Sequence, residues 1–209
     1  CQENTTGYQN TALGWSALQF NETGASNTAI GSSALYFNKN GSNNIAMGDR
    51  ALLFNKGNSN TAIGSLASYS LKNGDGNISI GEGAMATDSL SNGQIAIGRA
   101  ALQSNQEGEN NMAIGDSSLY SNVSGSYNIA IGKNAQKNSD SGRRNIAIGN
   151  NALLLNQTQS GNVAIGDATL YMTNNIGGLV AVGDSALYKN CAGGAAFDGE
   201  FNTAIGSKS

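Results

Sequence analysis

A short alternation of aliphatic and small residues closed by glycine runs through the whole chain, clearest in Asn145-Ile146-Ala147-Ile148-Gly149. The closing glycine recurs at Gly14, Gly31, Gly48, Gly64, Gly81, Gly98, Gly115, Gly132, Gly149, Gly166, Gly183 and Gly206. Neighbouring copies lie 17 residues apart, except for one step of 16 between Gly48 and Gly64 and a last step of 23. A constant period along a whole chain predicts a solenoid, in which each copy is one coil stacked on the next. The short step places a one-residue slip near Lys56, and the long step places an insertion of about six residues at about 190–200.

The residue before the glycine is always aliphatic, and the residue two positions before that one is Thr, Ile, Met or Val. Successive side chains of a strand point to opposite faces, so Ile146 and Ile148 share one face while Ala147 takes the other. The aliphatic, often β-branched face is expected to fill the inside of the coil. The other face carries Ala12, Ala29, Ala46, Ala62, Ala96, Ala113, Ala130, Ala147, Ala164, Ala181 and Ala204, with Ser79 once. A face kept uniformly small predicts close approach of another backbone, from a second strand layer or from a partner chain. These alanines are therefore the expected interchain contacts.

The glycine column predicts a turn residue with positive φ, or a place where no Cβ fits. Asn precedes the strand in ten copies, at Asn10, Asn27, Asn44, Asn60, Asn77, Asn111, Asn128, Asn145, Asn162 and Asn202, with Gln94 and Leu179 as the exceptions. Such residues bond turn backbone and stack as ladders between coils. After the glycine comes Ala-Leu or a close variant, as in Ala34-Leu35 and Ala101-Leu102. The Leu is expected to close the interior opposite the strand, and the segment is too short for periodicity to separate a strand from a helical turn. Aromatic residues cluster next, and a polar turn such as Asn38-Lys39-Asn40-Gly41 leads to the next coil.

The fold class that follows is all-β: a parallel β-solenoid, or β-roll, of about twelve 17-residue coils. At about 4.8 Å per coil it makes a rod some 55–60 Å long. No shift of composition divides residues 1–209, so the chain reads as one repeat array, and the absence of Pro suits unbroken pairing from coil to coil. Gln2 to Gly7 matches the turn half of a repeat, so the chain is expected to start and stop inside coils, uncapped, with more protein stacked on both ends.

Charge and chemistry narrow the function further. The net charge of −3 offers no footprint for nucleic acid or an anionic membrane, and no segment is apolar enough to insert into a bilayer. His is absent, which removes the His-based triads and metal sites. Asp49, Asp116, Asp167 and Asp184 follow repeat glycines and are expected to be solvated turn residues. Gly74-Asp75-Gly76 has the form of a turn and lacks the repeated acidic pattern of calcium-binding β-rolls. No catalytic residue, metal site or cofactor is expected. Cys1 and Cys191 lie about eleven coils apart, which excludes an intrachain disulfide in a straight rod. Free thiols are expected, with an end-to-end Cys1–Cys191 bridge between copies as the alternative.

Asn27-Thr28-Ala29-Ile30-Gly31 and Asn162-Val163-Ala164-Ile165-Gly166 resemble the head repeats of trimeric autotransporter adhesins, and similar runs occur in phage and viral tail-fibre proteins. For those adhesin heads the resemblance implies a left-handed parallel β-roll, a homotrimer, and binding to host surface or matrix. The repeat here is longer, with the Ala-Leu and aromatic segment added. The function expected is a non-enzymatic extracellular fibre segment, structural and adhesive, on a cell or virion surface. Its expected partners are copies of itself, as a homotrimer or a head-to-tail fibre, and a host surface, matrix or glycan receptor. The alternative is a solenoid that binds a lattice or a glycan. Thr occurs in the strands only at Thr11, Thr28, Thr61 and Thr203, which is not a strict ice-binding column. Tyr36, Tyr69, Tyr120, Tyr171 and Tyr188 share one repeat position and are the candidate glycan contacts.

Overall fold

The computed structural model describes residues 3–174, 177–191 and 201–209. Among the described residues there is no helix. Twelve three-residue strands form one parallel sheet: β1 (Thr11–Leu13), β2 (Thr28–Ile30), β3 (Ile45–Met47), β4 (Thr61–Ile63), β5 (Ile78–Ile80), β6 (Ile95–Ile97), β7 (Met112–Ile114), β8 (Ile129–Ile131), β9 (Ile146–Ile148), β10 (Val163–Ile165), β12 (Val180–Val182) and β14 (Thr203–Ile205). They pair in sequence order, each strand with its own homologue, so that Ala130 lies beside Ala147 and Ile131 beside Ile148. This is a parallel β-solenoid. A second, two-stranded parallel sheet joins β11 (Met172–Asn174) to β13 (Lys189–Cys191).

The two irregular steps are absorbed outside the main sheet. In the short step Asn55 Nδ2 donates to the Gly57 carbonyl two residues on, where Asn38 reaches Gly41 three residues on. One turn residue is missing, and the strands resume in register as Ile45 against Thr61. In the long step β12 and β14 still pair Val180 with Thr203, so the extra residues leave the sheet intact. Residues 192–200 of that insertion lie outside the described residues, as does Cys1. The backbone of Cys191 closes β13.

The glycine column has both of the expected causes. Its φ angles run from 128° to 139°, a region L side chains rarely adopt. A Cβ on Gly132 would also stand 2.5 Å from the carbonyl oxygen of Gly149 in the next coil. The Ala-Leu segment is neither strand nor helix. It is a turn in which Leu35, Leu52, Leu102, Leu119 and Leu153 take left-handed φ angles of 47° to 52°. Such a conformation costs about 1–2 kcal/mol per residue. Each of these Leu side chains is fully buried, worth about 1.5–3 kcal/mol. Its N–H also pairs with the next coil, as Leu35 N with the Ala51 carbonyl at 3.0 Å.

The strand faces are the reverse of the expectation. Ala29, Ala46, Ala62, Ala96, Ala113, Ala130, Ala147, Ala164 and Ala181 have 0% exposure and point into the coil. They form the interior with the Ala-Leu turns, so they are not interchain contacts. Ala12 is exposed and Ala204 half-buried because each lies on an outermost strand, covered by one neighbour only. The aliphatic face looks outward, with Ile45 40% and Met47 38% exposed. The reason is volume. A 17-residue coil that already encloses a Leu and two Asn side chains leaves room for only a methyl beneath the strand, and interiors are close-packed.

Enlarging that methyl should therefore damage the coil itself. Ala130→Leu is expected to destabilise the fold by about 1–3 kcal/mol through overpacking, whatever the state of assembly. Thermal unfolding of the variant against wild type checks this, and an unchanged midpoint would show that the interior has spare room.

Candidate functional site

Two buried polar columns fix the coils against one another and so keep the surface rows in register. In the first, each Asn before a strand bonds the coils on both sides. Asn128 donates its N–H to Asn111 Oδ1 of the preceding coil at 2.9 Å, while toward the following coil its Nδ2 donates to the Gly142 carbonyl at 2.8 Å and its Oδ1 accepts from the N–H of Asn145 at 3.0 Å. Gln94 fits the same row, with Nε2 directed to the Gly108 carbonyl and Oε1 accepting from the N–H of Asn111 at 3.0 Å. The second column was not singled out in the sequence, although Asn21, Asn38, Asn55, Asn105, Asn122 and Asn156 all stand seven residues after a repeat glycine. Asn38 Nδ2 donates to Asn21 Oδ1 at 2.9 Å, and Asn55 Nδ2 donates to Asn38 Oδ1 at 3.0 Å.

In this second column the amides of Asn21, Asn38, Asn55, Asn105 and Asn122 donate toward the preceding coil, which explains its irregular members. Leu71 takes the column position one coil after Asn55 and can neither donate nor accept. The next member is Asp88, an acceptor without a proton to place. Its Oδ2 accepts from Asn105 at 2.8 Å and its Oδ1 from the N–H groups of Leu90 and Ser91 at 3.2 and 3.1 Å. In the same coil as Leu71, Ser68 replaces the interior Leu and bonds Ser79 Oγ of β5 across the interior at 2.8 Å. Leu71 and Ser68 thus exchange polar and apolar positions, and the apolar core divides there into two clusters. A second exchange places Gln136 at the Leu position and Ser139 at the Asn position. It leaves Asn122 Oδ1 and Gln136 Oε1 buried without a hydrogen-bond partner.

Three surfaces remain for function. The outward sheet face presents two unbroken aliphatic or threonine columns, among them Ile30, Ile45, Ile63, Ile95, Ile97, Ile131, Ile148 and Ile165. These residues are expected from the sequence to fill the interior; they lie outside it, so the candidate face on the sheet is aliphatic and not the alanine one. The acidic row does not converge: Asp49 faces Arg50 at 3.5 Å and Asp116 pairs with Arg99 at 2.9 Å. Among the described residues no group of three His, Cys, Asp or Glu side chains gathers to hold a metal. Asp75 spends its carboxylate on the N–H of Asn58 at 2.6 Å, one link in a row of such surface bonds.

The five tyrosines do not make one continuous platform. Tyr36 packs edge-on against Phe20 and Phe37, and Tyr69 edge-on against Phe54. Tyr171 stacks on Tyr188 at 4.9 Å, while Tyr120 lies under Lys137, whose Nζ is 5.8 Å from the ring centroid. The aromatic ladder belongs instead to the adjacent position, where Phe20, Phe37 and Phe54 stack at 5.4 and 5.3 Å with rings nearly parallel. Lys39 lies beyond this ladder and pairs with Glu22 at 2.8 Å; that hydrogen bond holds its pKa above the ordinary lysine value. A comparison with known proteins finds no family model, no curated protein and no solved structure that matches the chain.

Two outcomes follow from the polar columns. The double change Gln136→Leu with Ser139→Asn restores the arrangement of Leu119 and Asn122, and should raise stability by about 1–3 kcal/mol for each relieved buried oxygen. Chemical denaturation measures it, and a double variant no more stable than wild type would refute this account of the ladder. The second outcome concerns pH. Desolvation raises the Asp88 pKa, against the hydrogen bonds from Asn105, Ser91 and Leu90. A raised carboxyl stabilises fully below its unfolded pKa of about 3.9, and that stability is lost as pH rises through the folded value. Asp116, lowered by its hydrogen bond from Arg99, acts in the opposite window, losing stability as pH falls through its folded value. Asp88→Ser should remove the loss above pH ~4 and keep the loss below it. Urea midpoints across pH test this, and parallel profiles for variant and wild type would contradict it.

Proposed function

We propose that this chain is a non-enzymatic, self-assembling segment of an extracellular fibre, in which copies bury their outward aliphatic sheet faces against one another. The observation that carries the proposal is the apolar strip itself. Three residues wide at about 3.3 Å each and eleven steps of about 4.8 Å long, it covers on the order of 500 Å². That is at the upper end of the apolar patches, about 300–600 Å², that monomers leave exposed. Charged side chains are absent from the outward positions of β1 to β10, β12 and β14. A standard interface takes about 800 Å² per partner, so a stable assembly has to cover the strip from end to end along with its flanking rows. Another copy of the same rod has the matching length and the matching corrugation.

Three copies around one axis is the arrangement implied by the resemblance to trimeric adhesin heads, and an adhesive role on a cell or virion surface belongs to the same proposal. The alternative, that the strip docks on a regular lattice, has less support. Its strand threonines fall at Thr11, Thr28, Thr61 and Thr203 and form no continuous row.

Light scattering should give a solution mass of three chains for the wild type. Ile131→Lys combined with Ile97→Lys is expected to yield monomers whose parallel-β circular dichroism is unchanged, since both side chains point out of the coil. A monomeric wild type would overturn the self-assembly, and a trimer indifferent to both lysines would move the interface elsewhere.

A further inference from the structure

Two grooves open on the turn side of the rod, at the same place in the repeat. Each runs between the sixth and eighth residues after the repeat glycine, above the buried polar column at the seventh. One, of about 270 Å³, is lined by Phe37 and Phe54 on one wall and Lys39, Lys56 and Lys72 on the other. The other, of about 480 Å³, is lined by Ser121, Asn138 and Ser139 facing Val123, Asp140 and Gln157. The two grooves share their place in the repeat and differ in chemistry. In the first groove the stacked phenyl edges form an apolar ridge, with Phe37 37% exposed, and three lysines face it at successive coils. Glu22 neutralises Lys39. Lys56 and Lys72 are exposed and form no salt bridge among the described residues.

We propose that the groove between Phe37, Phe54 and Lys39, Lys56, Lys72 binds an acidic polysaccharide, with sugar faces on the phenyl ridge and carboxylates on Lys56 and Lys72. The repeat distance decides among anionic polymers. Coils advance by about 4.8 Å, whereas an extended peptide advances about 3.3 Å per residue, so a peptide slips out of step with the lysines. One sugar residue advances a polysaccharide by close to one coil. The cations are all lysines, compact point charges that suit single carboxylates. Bidentate phosphate recognition favours the arginine fork, which this groove lacks. With a net charge of −3, the chain offers no general attraction for polyanions, so binding has to come from this local cluster.

The groove is independent of the assembly face. The Ser68–Ser79 bond shows that the turn segment faces the sheet across the interior, which puts the groove on the far side of the coil. The probe is a polygalacturonate oligomer of defined length, titrated calorimetrically against the intact chain, with a neutral oligomer of equal length and single-stranded DNA alongside. The acidic oligomer is expected to bind, and its affinity should fall roughly tenfold with each of Lys56→Gln and Lys72→Gln, as for the loss of one charge-assisted contact. Lys56→Arg should keep most of it. Phe54→Leu should weaken binding without unfolding the coil, because Leu155 already occupies the same repeat position. Absence of binding, indifference to both lysine variants, or equal binding of the neutral oligomer or the DNA would overturn the proposal. Ile131→Lys with Ile97→Lys should bind as wild type does per chain, so failure of self-assembly and failure of the groove are read separately.

Discussion

The stacking of each residue on its own counterpart in the next coil governs this molecule. Backbone N–H groups reach carbonyls one coil away, next to their own counterparts, as Ile129 N does to the carbonyl of Asn145, the residue before its counterpart Ile146, at 2.9 Å. Every side chain therefore has to be compatible with a neighbour of its own kind at about 4.8 Å. Asn satisfies this because its amide donates upward and accepts downward in one unit. Phenyl rings satisfy it by stacking, and Ala by being small. Charges pair across coils where signs alternate, as where Arg99 precedes Asp116 and Glu22 adjoins Lys39, whereas Lys39, Lys56 and Lys72 set three like charges in succession along the groove.

The same constraint explains how the repeat tolerates its exceptions. A residue that departs from its column has to be matched by a change in the same coil or the next one. Ser68 and Leu71 exchange polarity within one coil, and Asp88 follows Leu71 because an acceptor needs no partner below it. Asn55 Oδ1, deprived of a donor at Leu71, accepts instead from Asn60 Nδ2 at 3.2 Å. Where the exchange is incomplete, at Gln136 and Ser139, two buried oxygens go without partners. Breaks in a ladder cost little when donors and acceptors are rebalanced, and the cost appears where they are not.

Rows kept in register by a regular interior become surfaces with long-range order. On the sheet side they make an aliphatic strip, and on the turn side two grooves whose walls differ in chemistry. The proposed self-association and the proposed ligand recognition thereby fall to opposite sides of the same rod. The groove's aromatic and cationic character is confined to the coils around Phe37 and Phe54. A periodic scaffold carries a local site only through such departures from its own repeat.

The period, the glycine column, the parallel order of the strands and the one-residue slip near Lys56 were all legible in the sequence. Each depends on spacing alone, and stacking turns spacing directly into contact. The first Asn ladder was legible for the same reason. The second could have been found from the equal spacing of Asn21, Asn38 and Asn55, but it was hidden among turn residues that looked solvent-facing. Which face of each strand lies inside was decided only by the tertiary structure. The alternation in Ile146-Ala147-Ile148 separates two faces without saying which one is enclosed. Enclosure depends on the volume left by Leu153, Asn145 and Asn156, side chains from other parts of the coil that meet the strand only when it closes. Once they occupy the interior only a methyl fits beneath the strand, and the isoleucines are turned outward.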